Sequence, residues 1–167
     1  RDKRWERVQK CYDALVKGEA NKATSAITAI EDSYQKEIFD EFVEPTVICN
    51  GDMPLATIQE HDSVIFFNFR PDRAREITRA IVDKEFDGFE TKKLNTYFVC
   101  MTPYDETMPN VKIAFKKEAL INTFGEVLSK NGLTQLRIAE TQKYAHVTYF
   151  FDGGEDVEIK GSDRILI

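Results

Sequence analysis

The chain has 167 residues, 42% of them hydrophobic and 31% charged, a composition typical of a soluble globular protein with one domain, or with one domain and part of another. Its formal net charge of −6 argues against a general nucleic-acid-binding protein, which would carry a basic surface, and without a run of about 20 apolar residues we expect no membrane-spanning helix. Cys11, Cys49 and Cys100 are widely spaced among apolar neighbours, so we interpret them as buried thiols in a cytoplasmic protein, with neither a disulfide nor a zinc site.

The first part of the chain predicts helices and strands that alternate. Residues 3–17 carry an apolar stripe at helical spacing that Gly18 ends, and a second helix is expected from about Ala23 to Ile38. Strands over residues 46–49 and 55–58 flank Asn50-Gly51-Asp52, a hairpin turn signal. Further strands are expected over residues 94–101 and 109–115. We therefore predict an α/β fold in which helices pack on a mixed sheet.

Residues 63–77 predict a strand, a sharp turn and a helix. The run from Val64 to Phe69 is apolar apart from Asn68, which is typical of a strand buried on both faces of a sheet. Pro71 suits the first turn of a helix, and Ala74, Ile77 and Ile81 then recur at helical spacing.

Arg70 and Arg73 lie where this predicted strand gives way to the helix. Ligands of open α/β sheets bind at the carboxyl ends of strands, and free N–H groups at a helix start favour an anion. The planar guanidinium fork matches phosphate and carboxylate oxygens. The two arginines are therefore candidates for a phosphate or carboxylate clamp; the alternative is that they are solvated, or paired with Asp72 or Glu76.

From about Lys117 the pattern becomes a cleaner alternation of helix and strand. A helix over residues 119–130 and a strand over residues 133–139 are expected, with residues 140–143 as the exit loop of that strand. Residues 144–151 have the composition of a strand, but a crossover before the strand at residues 164–167 favours a short helix. Lys143 in the exit loop is either a solvated lysine or a further cation of a polyanion site.

The sequence gives little support for a metal site or a nucleophile. His61 and His146 are far apart and lack neighbouring ligand-type residues, so we interpret both as ordinary histidines. The motifs G-x-S-x-G, the Walker loop and G-x-G-x-x-G are all missing from the sequence.

Four longer stretches resemble the cofactor-independent phosphoglycerate mutases, which need no 2,3-bisphosphoglycerate. They are RDKRWERV at residues 1–8, FNFRPDRAREI at 67–77, FVCMTPYD at 98–105 and AETQKYAHVT at 139–148. The resemblance covers essentially the whole chain and implies an internal fragment of a two-domain enzyme. Residues 1–117 would be the later part of its layered α/β phosphotransferase domain, and residues 118–167 a partial αβ segment of its alkaline-phosphatase-like domain.

The resemblance also implies a function. The complete enzyme would interconvert 3-phosphoglycerate and 2-phosphoglycerate in glycolysis and gluconeogenesis, through a phosphoserine intermediate and two manganese ions. Arg1, Arg70, Arg73 and Lys143 would bind the substrate, while the catalytic serine and the metal ligands would lie outside these 167 residues. Its partners would be the substrate and the rest of its own chain, with neither nucleic acid nor membrane.

The isolated fragment is then expected to be inactive. The alternative from the residues themselves is a non-catalytic α/β module that binds a small phosphorylated metabolite.

Overall fold

The computed structural model describes residues 3–167 and has the predicted mixed α/β fold. The chain divides into two compact units, an N-terminal unit of residues 1–116 and a C-terminal unit of residues 117–167. Among the described residues, none of the helices is both long and apolar enough to cross a membrane.

The described part of the N-terminal unit, from residue 3 on, has three α-helices: α1 (Trp5–Tyr12), α2 (Ala26–Gln35) and α3 (Ala74–Val82). α1 continues as a π-helical turn over Asp13–Lys17 and ends at Gly18, whose φ of 71° is in the left-handed region that glycine adopts without steric cost. α2 starts later than predicted because the Ser25 hydroxyl accepts a hydrogen bond from the Thr28 N–H and caps the helix there. A short 3-10 turn follows at Asp40–Phe42.

The strands of this unit form two three-stranded sheets. In the first, β2 (Thr46–Asn50) is parallel to β1 (Asn21–Ala23) and antiparallel to β3 (Met53–Pro54). The predicted hairpin turn is therefore confirmed, but the strand expected over residues 55–58 is wrong: the second strand is Met53–Pro54, immediately after the turn, and residues 55–58 are not a strand. In the second sheet, β4 (Ser63–Phe66), β5 (Tyr97–Cys100) and β6 (Val111–Ile113) are all parallel, and β4 is an edge strand.

The hydrophobic core of the N-terminal unit lies on one face of the second sheet. Tyr12 and Phe98 are among its largest fully buried side chains, and Ala80, Ile81 and Cys100 are almost as inaccessible. Since Tyr12 belongs to α1, Ile81 to α3 and Phe98 to β5, this core fixes both helices against the sheet that carries the candidate arginines.

The expectation that the Val64–Phe69 strand is buried on both faces is wrong. Val64 and Phe66 pack against the core, but Ile65, Phe67 and Phe69 are 70%, 75% and 71% exposed. Side chains alternate between the faces of a strand, so only one face of β4 is covered in the part of the chain that the structure describes. The strand also ends at Phe66 instead of Phe69.

Arg79 on α3 joins that helix to the loop after β5. Its guanidinium lies 2.8 Å from the Asp105 carboxylate and 3.1 Å from that of Asp83, and it donates to the Thr107 hydroxyl. The Arg79 guanidinium, together with the Thr107 hydroxyl and N–H, lowers the pKa of Asp105 to about 2. The ionised form of Asp105 therefore stabilises the fold.

We expect Asp105→Asn to lower the free energy of unfolding by about 2 kcal/mol at pH 7, because a depressed pKa measures preferential stabilisation of the charged form. The folded protein binds fewer protons at this site than the unfolded chain. The contribution of Asp105 is therefore fully present above about pH 4 and is lost as the pH falls toward 2.

Urea unfolding of the chain between pH 2 and 7 measures this effect. Trp5, the single tryptophan, reports on the N-terminal unit because its ring packs 5.2 Å from that of Phe86. Asp87→Asn, at an exposed position, is the matched control and should leave the pH profile unchanged. Equal losses of stability in the two variants would contradict the assignment to Asp105.

The C-terminal unit is built from α4 (Phe124–Lys130), β7 (Gln135–Ala139), α5 (Thr141–Ala145) and β8 (Ser162–Leu166), with β8 parallel to β7. α4 begins five residues later than predicted because the Glu126 carboxylate accepts a hydrogen bond from the Thr123 N–H at 3.0 Å. α5 continues as a π-helical turn over His146–Phe150. The short crossover helix is thus confirmed over the alternative of a strand.

A buried ion pair holds this unit together. The Arg137 guanidinium lies 3.1 Å from the Asp152 carboxylate, and the two side chains are only 7% and 2% exposed. Arg137 also donates to the Val147 carbonyl and the Gln135 side chain, and its guanidinium carbon lies 4.5 Å from the Phe151 ring centre. β7 and the helical segment after it are therefore joined through one arginine.

Candidate anion-binding site

The predicted strand, turn and helix place two arginines just beyond the carboxyl end of β4. β4 ends at Phe66, and Arg73 is the residue immediately before α3. Arg70 lies in the loop that connects them. Arg73 is therefore the N-cap of α3, and Pro71, which suits a first helical turn, belongs to the loop instead.

Two hydroxyls from the loop after β5 hold this connecting loop by its backbone. The Thr102 hydroxyl donates to the Phe69 carbonyl at 2.7 Å. The Tyr104 hydroxyl lies against the carbonyl oxygens of Phe66, at 3.0 Å, and Asn68. Burial raises the pKa of Tyr104, which keeps its hydroxyl protonated and able to donate. The path of the chain into Arg70 is thus set by β5 as well as by β4.

Arg70 is paired with a neighbouring acid. Its guanidinium lies 3.3 Å from the Asp72 carboxylate and its side chain is 74% exposed. An ion pair this exposed contributes little to stability, so an incoming anion can displace it at small cost. Asp72 braces Arg70 and does not cap α3, because the N-cap residue is Arg73.

Arg73 lines a cleft of about 720 Å³ formed by α1, the 3-10 turn and α3. Two further arginines, Arg4 and Arg7, line the same cleft, together with Glu41 and Glu76. Both Arg4 and Arg73 are N-cap residues of helices whose first turns have no side-chain cap, so the partial positive charge of each helix start remains beside them. The cleft is therefore lined by three arginines and two glutamates.

Glu76 connects the beginning of the chain to α3. It is 7% exposed, and its carboxylate accepts a hydrogen bond of 2.6 Å from the Lys3 N–H. This bond fixes the residue before Arg4 relative to the residues after Arg73. The sequence offered Glu76 only as a possible partner of the arginines, and its contact with a residue 73 positions away could not be anticipated.

The structure brings together some of the predicted site residues. Arg70 and Arg73 lie in one connection of the N-terminal unit, whereas Lys143 belongs to the C-terminal unit. The expectation that Lys143 lies in an exit loop is wrong: it lies on α5, where its N–H bonds to the Glu140 carbonyl, and its side chain is exposed. The predicted site residue Arg1 lies outside the described residues.

Arg4 and Arg7, which line this cleft, are not among the residues predicted for the site. Arg4 and Arg7 are three positions apart, which places them on one face of a helix, and this spacing could have indicated a shared role. Within residues 3–167, no group of three or more His, Cys, Asp or Glu side chains is arranged to hold a metal ion.

Comparison with models of protein families shows which family the chain belongs to. Residues 1–106 match the family model described as BPG-independent PGAM N-terminus, that is, the bisphosphoglycerate-independent phosphoglycerate mutases. The chain belongs to this family.

Two relatives with similar sequences are named as 2,3-bisphosphoglycerate-independent phosphoglycerate mutases. The protein of Acetivibrio thermocellus is 60% identical and that of Clostridioides difficile 58%, in both cases over the whole of this chain. The chain spans about a third, 33%, of the length of each of these mutases.

A solved structure agrees with this placement. The phosphoglycerate mutase of Leishmania mexicana, determined at low cobalt concentration, superposes with a TM-score of 0.70 at 31% sequence identity. The alignment covers 99% of this chain and 32% of that mutase. The α/β fold of the described residues is therefore a fold of this family.

Proposed function

We propose that this chain is part of a bisphosphoglycerate-independent mutase that interconverts 3-phosphoglycerate and 2-phosphoglycerate, and that its N-terminal unit binds and orients the phosphoglycerate. The observation that carries the proposal is the position of Arg70 and Arg73 beyond the carboxyl end of β4, in a chain whose relatives bear this name. The corresponding cellular role is that of a cytoplasmic enzyme of glycolysis and gluconeogenesis.

The two units are proposed to contribute different substrate-binding residues. Residues 1–117 are assigned to the phosphotransferase domain and contribute Arg1, Arg70 and Arg73. Residues 118–167 are assigned to the phosphatase-like domain and contribute Lys143, whose ammonium group would reach the phosphoryl group from that side. The division of the chain near residue 116 is compatible with this assignment.

Arginines suit the proposed reaction because phosphoryl transfer depends mainly on positioning and on neutralising charge. The substrate carries a phosphate and a carboxylate, and each can accept two parallel hydrogen bonds from one guanidinium. The arginine pair would bind these two groups. It would also retain the glycerate while the phosphoryl group resides on the serine, so that the glycerate can turn before it is phosphorylated again.

Two manganese ions and the serine nucleophile are assigned to the remainder of the complete protein. The donor set within residues 3–167 does not fit a metal centre, and the carboxylate ligands that suit manganese would have to come from elsewhere. Bound metal would supply charge neutralisation at the transferred phosphoryl group. The role of this chain is to hold the substrate in place.

A coupled assay tests the proposal. The complete protein, supplied with manganese and 3-phosphoglycerate but no 2,3-bisphosphoglycerate, is expected to form 2-phosphoglycerate, which enolase then dehydrates to a product measured by its ultraviolet absorbance. Residues 1–167 alone should show no turnover, because the serine and the metal ligands are assigned outside them.

Absence of turnover by the complete protein under these conditions would reject the mutase proposal. If it still bound phosphoglycerate in a titration, the alternative of a non-catalytic module for a phosphorylated metabolite would take its place. Turnover by residues 1–167 would reject the assignment of the catalytic groups to the remainder.

A further inference from the structure

Arg4, Arg7 and Arg73 differ from most arginines of the described chain; Arg75, which also lacks an ion pair among the described residues, donates to the Asp72 carbonyl and lies outside the cleft. Arg70, Arg79, Arg137 and Arg164 each have a carboxylate within 3.3 Å. Arg4, Arg7 and Arg73 form no ion pair within 4.0 Å to any of the described residues, although all three line one cleft. An anion bound in this cleft would have three arginines available that are not engaged with a carboxylate of the described residues.

The carboxylates of the cleft do not neutralise these arginines. Glu76 is buried, and one of its oxygens is occupied by the Lys3 N–H. Glu41 lies on the exposed 3-10 turn and has no ion pair among residues 3–167. The cleft therefore retains an excess of positive charge in a protein whose net charge is −6, which would draw an anion to this part of the surface.

The volume of the cleft and the apolar residues that line it are also suited to a small ligand. Its volume of about 720 Å³ lies within the range of about 300–1,000 Å³ that is typical of small-molecule sites. Val8, Phe42 and Ile77 supply apolar walls beside the arginines, and exclusion of water by such walls strengthens a charge-assisted hydrogen bond.

We propose that Arg4 and Arg7 extend the substrate site into this cleft as substrate-binding residues, holding one anionic group of the phosphoglycerate alongside Arg73. The inference rests on the proposed function and adds two residues to its site. Because Arg4 and Arg7 hold an end of the substrate throughout the reaction, they stabilise the bound substrate and the transition state equally. Their loss should therefore raise KM and leave kcat nearly unchanged.

The test uses Arg4→Ala, Arg7→Ala and the double variant in the complete mutase. We expect KM for 3-phosphoglycerate to rise about tenfold or more in each single variant and further in the double variant, with kcat within about twofold of the wild type. Arg7→Lys, which keeps the charge without the planar fork, should recover part of the loss. Lys10→Ala is the matched control, since Lys10 is an exposed cation of the same helix, paired with Glu44 outside the cleft.

A double variant whose KM equals that of the wild type, while Arg73→Ala is impaired, would overturn the inference and leave the proposed function standing. A fall in kcat that matches the fall in kcat/KM would also overturn it, since it would show a role confined to the transition state.

A titration with inorganic phosphate separates this inference from the proposed function. If the complete protein shows no mutase turnover, calorimetry with phosphate still decides between the outcomes: weaker binding by the double variant than by Lys10→Ala supports the arginine cleft, and equal binding rejects it.

Discussion

Replacing Arg73 by alanine in the complete mutase is expected to lower kcat/KM for 3-phosphoglycerate by at least about a hundredfold. The residue lies beyond the carboxyl end of β4, as the N-cap of α3, and lines the cleft shared with Arg4 and Arg7. A charge-assisted hydrogen bond is worth about 1.5–3 kcal/mol, and removal of an electrostatic contact at the transition state costs about 10²–10³ in rate. Arg70→Ala should show a loss of similar size, because its exposed pairing with Asp72 leaves the guanidinium available to the substrate.

Steady-state kinetics with matched variants would test this expectation. Arg75→Ala removes an exposed arginine two residues along α3 that lies outside the cleft, so its kcat/KM should stay close to that of the wild type. Arg73→Lys should remain impaired, because an ammonium group cannot reproduce bidentate binding. Values of kcat/KM for Arg70→Ala and Arg73→Ala that both match Arg75→Ala would remove these residues from the site.

Asp152→Ala is expected to lower the stability of the C-terminal unit by about 3–5 kcal/mol. The substitution leaves the Arg137 guanidinium, 7% exposed, without its carboxylate, and an uncompensated buried charge is strongly destabilising. Hydrogen exchange of the β7 and β8 backbone amides in the chain measures the loss directly, because these strands pair with each other in the affected unit.

The chain supplies two internal controls for this experiment. Asp156 pairs with Arg164 at 3.0 Å but is 79% exposed, so Asp156→Ala should cost less than about 1 kcal/mol. Trp5 lies in the N-terminal unit, and its urea transition should be the same in both variants. Equal amide protection in the two variants would show that burial does not determine how much each ion pair contributes to stability.

The order of elements around the site could be predicted from local sequence. The apolar run before Arg70 and the helical spacing of Ala74, Ile77 and Ile81 were sufficient to predict a strand and a helix, because both signals lie within a few residues. The end of β4 at Phe66 could not be predicted. The carbonyls of Asn68 and Phe69 bond to the hydroxyls of Tyr104 and Thr102 instead of a neighbouring strand, and those partners are more than 30 positions away.

Other differences have the same kind of cause. The apolar residues of β4 predict burial on both faces. Hydrophobicity shows that a side chain can be buried, but it does not show which residues cover it. The exposure of Ile65 and Phe67 could therefore be seen only in the structure. The cleft arginines illustrate the other limit. The i, i+3 spacing of Arg4 and Arg7 is visible in the sequence, whereas their position beside Arg73 depends on long-range contacts between α1 and α3, among them the shared core and the bond from the Lys3 N–H to Glu76.

The hydroxyl bonds of Thr102 and Tyr104 have a further consequence for affinity. Both act on main-chain carbonyls of residues 66–69, so the loop that presents Arg70 is ordered before any ligand arrives. A segment that is already rigid loses little conformational entropy on binding, and more of the interaction energy appears as affinity. Since the bonds are accepted by backbone carbonyls, they do not depend on which side chains Phe67 and Phe69 carry.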